Sequence, residues 1–208
     1  SKVMAENVER WVKVAEERLR GSKIKCLISP GNDDRYEIDP ILSSSDVVIN
    51  PEGRVVMIDD HHEIITLGYT NVTPWNAPRD IDDEELGKKV EDLASKINNI
   101  KDSIFNLHCP PYDSSLDTAP LLRADLRPVV SGGAIVNVPV GSKAVRRSIE
   151  THQPLLGLHG HIHEAKGVSR IGRTLCVNPG SEYAEGILSG AVVDLDEKGI
   201  KGYVLTSG

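Results

Sequence analysis

Apolar and polar positions along the chain follow two rhythms, and the changes of rhythm mark the elements. Over residues 4–20, Val8, Trp11 or Val12, Ala15 and Leu19 recur at helical spacing with Glu and Arg on the other face. This predicts an amphipathic helix stopped by Gly21. Ile24 to Ser29 is a short apolar run, the mark of a buried strand, and it empties into the polar turn Pro30-Gly31-Asn32-Asp33-Asp34. Ile38 to Leu42 suits one helical turn. Val47 to Asn50, Arg54 to Asp59 and Glu63 to Tyr69 predict strands, the last two joined by a hairpin turn at Asp60-His61-His62. In that setting His61 and His62 read as turn residues rather than ligands.

Residues 70–80 predict a loop, in which Trp75 is expected to cap the core edge rather than touch substrate or a partner. A second amphipathic helix over Asp82 to Asn98 carries the stripe Leu86, Val90, Leu93 and Ile97, and its acidic first turn suits the helix dipole. Ser103 to Leu107 is the next buried strand and runs into His108-Cys109-Pro110-Pro111. A long loop over 110–140, of a length that is usually functional or mobile, leads to a helix from the expected N-cap Ser142 to His152. Leu155 to Leu158 then passes straight into His159-Gly160-His161-Ile162-His163. Beyond it, residues 167–177 alternate loosely as strands and Asn178-Pro179-Gly180-Ser181 forms a turn directed at the same place. Residues 187–194 and 199–206 close the chain as two strands around Glu197-Lys198-Gly199. No repeat or linker divides residues 1–208, so one domain is expected.

Composition narrows the classes of function. The 208 residues suffice for one core, and 24 Lys and Arg against 31 Asp and Glu give a net charge of −7. That balance disfavours long nucleic acid, whose phosphates need a basic face. It leaves room for a small phosphorylated substrate or nucleotide, because a bound metal brings its own positive charge. The three cysteines show no paired spacing, and Cys26 and Cys176 lie in apolar runs, which reads as free thiols in a reducing cytoplasm. No apolar stretch approaches the roughly 18 residues of a membrane span, so no membrane partner is expected. Monomer and homo-oligomer both remain open.

Three predicted strands end in groups suited to a metal: Asn32, His108, and then His161 and His163. Parallel strands in one sheet bring their carboxyl ends to one edge, where ligands bind. His161 and His163 are two apart and would point the same way in extended chain. Ser142 and Lys143, opening a helix, are candidates to receive a substrate anion, with a solvated basic face as the plain alternative.

Taken in order, Gly31-Asn32-Asp33-Asp34, His108 and Gly160-His161-Ile162-His163 resemble the calcineurin-like metallophosphoesterase family. That family reads Asp-x-His, Gly-Asp-x-x-Asp, Gly-Asn-His-Asp/Glu, an isolated His and Gly-His-x-His. The turns at Pro30, His108-Cys109-Pro110-Pro111 and Asn178-Pro179-Gly180-Ser181 are most similar to its small bacterial and archaeal branch. The resemblance implies a four-layer α/β fold, a two-sheet β-sandwich flanked by helices. It also implies a two-metal phosphoesterase that hydrolyses phosphomonoesters or phosphodiesters with a metal-activated hydroxide. Asn32, His108 and His161 would hold one divalent ion and His163 the other, with Mn, Fe, Zn or Ni all suited to such ligands. Asp33 stands where many relatives carry the histidine that protonates the leaving group, and would need a strongly raised pKa to do so near neutrality. Neither Asp-x-His nor Gly-Asp-x-x-Asp precedes Asn32. The expectation is therefore the C-terminal portion of such a domain, with two core strands and a bridging carboxylate supplied from upstream. The alternative is an inactive or incomplete binding module of the same fold. An amidohydrolase, which also carries His-x-His after a strand, fits less well, because here the motif falls near the chain's end.

Overall fold

A six-stranded mixed sheet carries the molecule in the computed structural model, which describes residues 2–208. Its order is Gly167–Ile171, Thr174–Asn178, Leu156–Leu158, Ile104–Leu107, Glu63–Leu67, Val55–Met57. The four central strands run parallel, and the strand at each edge is antiparallel to its neighbour. Central strands of this kind are covered on both faces, and the burial agrees: all of Glu63–Leu67 and all of Thr174–Asn178 are buried. The hairpin expected around Asp60-His61-His62 is present, its turn pinned by Asp59, which accepts from the backbone N–H groups of His61 and His62. His62 is buried there beside the Asp59 carboxylate.

Among the described residues there are four α-helices, α1 over Lys2–Leu19, α2 over Asp39–Leu42, α3 over Asp83–Ala94 and α4 over Lys143–His152, of which α3 and α4 pack on the sheet. Ile65, Leu67, Phe105, Leu107 and Cys176 form one face of the sheet and pack with Leu86, Val90 and Leu93 of α3 and Val145 and Ile149 of α4. The expected stripe of α3 is thus its buried stripe. The helix ends at Ala94, earlier than the periodicity predicts, and Ile97 packs from the following turn. Asp82 caps α3 by accepting from the Glu84 N–H, and Ser142 caps α4 by accepting from the Val145 N–H, as its position predicts.

Ile64, Ile104, Leu156, Leu175 and Val177 form the opposite face. Here the expected sandwich is not formed among the described residues. The strand Cys26–Leu27 pairs only with Val48–Ile49, and the long hairpin Ser189–Asp196/Gly199–Ser207 pairs only with itself. These ribbons lay partly buried side chains, Leu27, Val193, Leu195 and Leu205, against the large sheet without joining into a second one. The fold is mixed α/β with one large sheet. Helices α1 and α2 close a smaller core over the first ribbon, with Val8, Val12, Leu42 and Val48 buried.

The segment 110–140 is not the plain loop the sequence predicts. It rises as a narrow antiparallel arm: Thr118–Pro120 pairs with Asn137–Pro139, and Val130–Ser131 pairs with Ala134–Ile135 around Gly132-Gly133. Both glycines have positive φ, which a two-residue turn of this kind requires.

Candidate metal and substrate cleft

The carboxyl ends of the parallel strands open into a cleft of about 990 Å³. Asn32, Asp33, His108, His161 and His163 all line it. His108 and His161 meet at the sheet edge for the reason anticipated, since they follow neighbouring parallel strands. Asn32 arrives instead from the separate ribbon of Cys26–Leu27 and Val48–Ile49, not from a strand of that sheet.

Asn32 is buried and its amide orientation is fixed. Its Nδ2 donates to Asp80 Oδ1 at 3.1 Å, so its Oδ1 faces the other way, 3.1 Å from Nδ1 of His161. An amide oxygen only accepts, so Nδ1 of His161 carries the proton and Nε2 keeps its lone pair. Asp80 is itself tightly held. It accepts from the Thr70 hydroxyl, from the hydroxyl and backbone N–H of Thr73, and from the Ala77 N–H. Burial works to raise its pKa, but these donors outweigh burial and hold the carboxyl below its ordinary range. Next to it, Arg79 is 1% exposed; it donates from Nε to the Asp34 carbonyl and from its backbone N–H to the Asn32 carbonyl. Its guanidinium also meets Asp39 at 2.6 Å and lies 4.5 Å from the centre of the Tyr36 ring. The turn at 30–34 is therefore clamped from behind by consecutive residues of a loop the sequence marks only as irregular.

His108 sits between two glycines. A Cβ on Gly31 would stand 3.0 Å from its Nε2, and one on Gly160 would stand 3.3 Å from its Nδ1. Its ring meets that of His161 edge-on at 5.5 Å between centroids. Burial, with His161 and His163 nearby, pushes the His108 imidazolium down to about 3, so the ring is neutral and its lone pair is free. Burial likewise lowers the pKa of His161.

His161 and His163 are not in extended chain, contrary to the alternation argument. His161 has a φ of +63°, and the chain turns there, with Ile162 N–H donating to the Gly160 carbonyl. What holds this turn is Asn178, which is fully buried at its strand end; its Nδ2 reaches the carbonyls of Leu116, Gly160 and Ile162. Ser181 N–H then donates to the His163 carbonyl, so the 178–181 turn braces the histidines without entering the cleft. His159 points away: it is buried, its Nδ1 lies 2.9 Å from the Leu107 carbonyl, and it ties two strands together.

Ser142 and Lys143 lie elsewhere. The Ser142 hydroxyl is buried, donates to Asp83 and caps its own helix, and Asp83 also accepts from the Ala144 N–H. A carboxylate of the protein thus already occupies that helix N-terminus. Lys143 lines an adjoining cavity of about 310 Å³, its amine 5.2 Å from the centre of the Tyr112 ring. Trp75 does not cap the core. It is 64% exposed on the cleft wall, because the 72–79 loop is held by Asp80 rather than by apolar packing.

The donor types fit a divalent ion: neutral imidazoles and an oriented amide oxygen, beside a ring cradled by glycines. The set is open rather than closed. Among the described residues no group of three or more His, Cys, Asp or Glu is spaced to surround an ion. Asp33, Asp34 and Glu164 line the cleft, and none of the described lining residues is Lys or Arg. Asp80 escapes a reading of the sequence, its only signal there being a short polar side chain beside a proline-containing loop; the turn at Asn178 is anticipated, but not that its side chain holds the histidine turn.

No protein-family model matches the chain. It is 30% identical over 158 residues to the uncharacterized protein MJ1162 of Methanocaldococcus jannaschii, across 75% of this chain and 64% of that protein. The chain thus spans under two thirds of that relative's length. TT1561 of Thermus thermophilus has a similar crystal structure, with a TM-score of 0.60 and 18% identity over 98% of this chain and 79% of that one. A second crystal structure gives a TM-score of 0.61 and 16% identity over 90% and 68% of the two chains. At such identities the likeness speaks for the α/β fold alone. No described helix is long and apolar enough to cross a membrane.

Proposed function

We propose that the chain contributes metal ligands to a metal-dependent phosphoesterase of the calcineurin-like type. The observation that supports this best is that Asn32, His108, His161 and His163 line one cleft, the histidines following neighbouring parallel strands of the large sheet. Asn32 Oδ1 and the lone pairs of the three histidines would hold divalent ions, and such ions supply positive charge and Lewis acidity to a phosphoryl group. The protein's own part is to present neutral nitrogen donors, through burial at His108, and to aim the Asn32 oxygen, through Asp80. Asp33 is exposed at the same cleft, where it can reach an ester's leaving oxygen.

A second reading has one observation in its favour. The carboxylates that line the cleft do not close with the histidines into a ligand set. A module that binds metal or phosphate without turnover fits that openness.

Metal content and hydrolysis of bis-p-nitrophenyl phosphate, measured on this chain, on a version extended upstream and on His161→Ala in the extended version, test both. Bound Mn and turnover, each lost in the variant, support the esterase. Bound metal with no turnover supports the module. No metal and no turnover overturns the esterase reading.

A further inference from the structure

The chain has two tryptophans, and both stand on the wall of this cleft. Trp11 comes from α1 and is 59% exposed, and Trp75 comes from the 72–79 loop. Tyr183, 73% exposed, sets its ring edge-on to His163 at 5.5 Å. Leu121 of the arm completes an apolar surface on the same cleft. Large aromatic side chains left in water at a concave site beside convergent polar groups mark a binding wall.

Charge decides what that wall takes. Asp33, Asp34 and Glu164 are the charged groups of the lining, so an organic arm rich in further phosphates or carboxylates meets repulsion. The cleft, at about 990 Å³, holds far more than a phosphate group.

We infer that the cleft binds phosphate esters whose organic arm is a flat aromatic ring of nucleobase size, stacked on the exposed indole of Trp75; this rests on the phosphoesterase reading above. The ring lies on the wall while the phosphate faces the Asn32 and histidine floor. Trp11 also lines the cleft, and its fluorescence is a second reporter of an occupant.

Tryptophan fluorescence of the full chain tests this, with adenosine 5′-monophosphate, adenosine and ribose 5-phosphate as probes in Mn²⁺ buffer. The two adenine compounds are expected to quench, with the monophosphate bound at least about tenfold more tightly than ribose 5-phosphate. Trp75→Leu is expected to weaken the monophosphate about tenfold without moving the melting temperature, since Trp75 packs into no core. Equal binding of ribose 5-phosphate and the monophosphate, or no loss in Trp75→Leu, overturns the aromatic wall and leaves the esterase standing. Adenosine binding that phosphate does not improve, and that chelation does not change, supports the wall and removes the esterase reading.

Discussion

Asp80 accepts from Nδ2 of Asn32 at 3.1 Å, and this one contact decides which end of the amide faces His161. The carboxylate acts on the floor of the cleft without belonging to it. Asp80→Ala is expected to weaken Mn binding by about 10–100-fold, the usual cost of losing a group that orients a metal ligand. Titration calorimetry on the folded variant measures it. Because Asp80 also holds Thr73 and Ala77, Thr73→Val serves as a control. It loosens the loop while leaving the Asn32 contact, and should cost far less metal affinity.

Gly31→Ala tests the cradle around His108. The added methyl would sit 3.0 Å from Nε2, tighter than most real contacts, so the ring must give by a few tenths of an ångström. Metal affinity is expected to fall about tenfold or more. Leu86→Ala, in the core far from the cleft, should instead lower stability by about 3 kcal/mol and leave metal affinity unchanged. Melting curves and metal titrations on the pair separate the two effects.

Arg79→Met keeps much of the side-chain volume but removes the partner of Asp39 and the donor to the Asp34 carbonyl. A buried ion pair broken on one side costs about 3–5 kcal/mol. Asp39 keeps a third of its surface in water, so the low end, about 3 kcal/mol, is expected. Urea denaturation followed by circular dichroism reads it.

Glu52 gives the fold a dependence on pH. Its Oε2 accepts from the Gly68 N–H, but its Oε1 is buried with no partner. Burial pushes its pKa up to about 7 from an ordinary 4.5, against the Gly68 contact. The folded state therefore binds a proton that the unfolded state has released, and stability falls as pH rises from about 4.5 to about 7. Glu52→Gln should abolish that part of the slope, so that melting temperatures at pH 5 and pH 8 lie closer together than in wild type. An unchanged slope would remove Glu52 as its source.

The elements that apolar rhythm dictates are legible in the sequence: α1, the α3 stripe, the Ser142 cap, the closing hairpin and the strands before His108 and His161; the run before Asn32 forms only the short, half-buried strand Cys26–Leu27, with Ile24 in water. Their order along the chain predicts that those residues meet. What the sequence does not disclose depends on contacts between distant segments. Nothing local distinguishes Asp80 from an ordinary loop aspartate until Asn32 arrives beside it. The positive φ of His161 is hidden because Gly160 beside it looks like the flexible residue, while the strain falls on the histidine. Residue type alone makes Trp75 a core cap, and the loop's true anchor is polar. The family pattern predicts a second sheet, and here the ribbons remain separate.

The parallel arrangement of Glu63–Leu67, Ile104–Leu107 and Leu156–Leu158 also sets the order in which the protein comes into being. Each of these strands pairs with one reached only after a helix and a long connection. Loop closure thus opposes the pairings of Ile104–Leu107 with Glu63–Leu67 and with Leu156–Leu158 until the intervening chain has condensed. The closing hairpin Ser189–Asp196/Gly199–Ser207 has no such barrier and can form early. Asn32, His108 and His161 come together only when the slow, long-range pairings are complete. A chain halted partway through folding would therefore display most of its secondary structure and none of its ligand geometry, which makes recovery of metal binding a stricter gauge of refolding than circular dichroism.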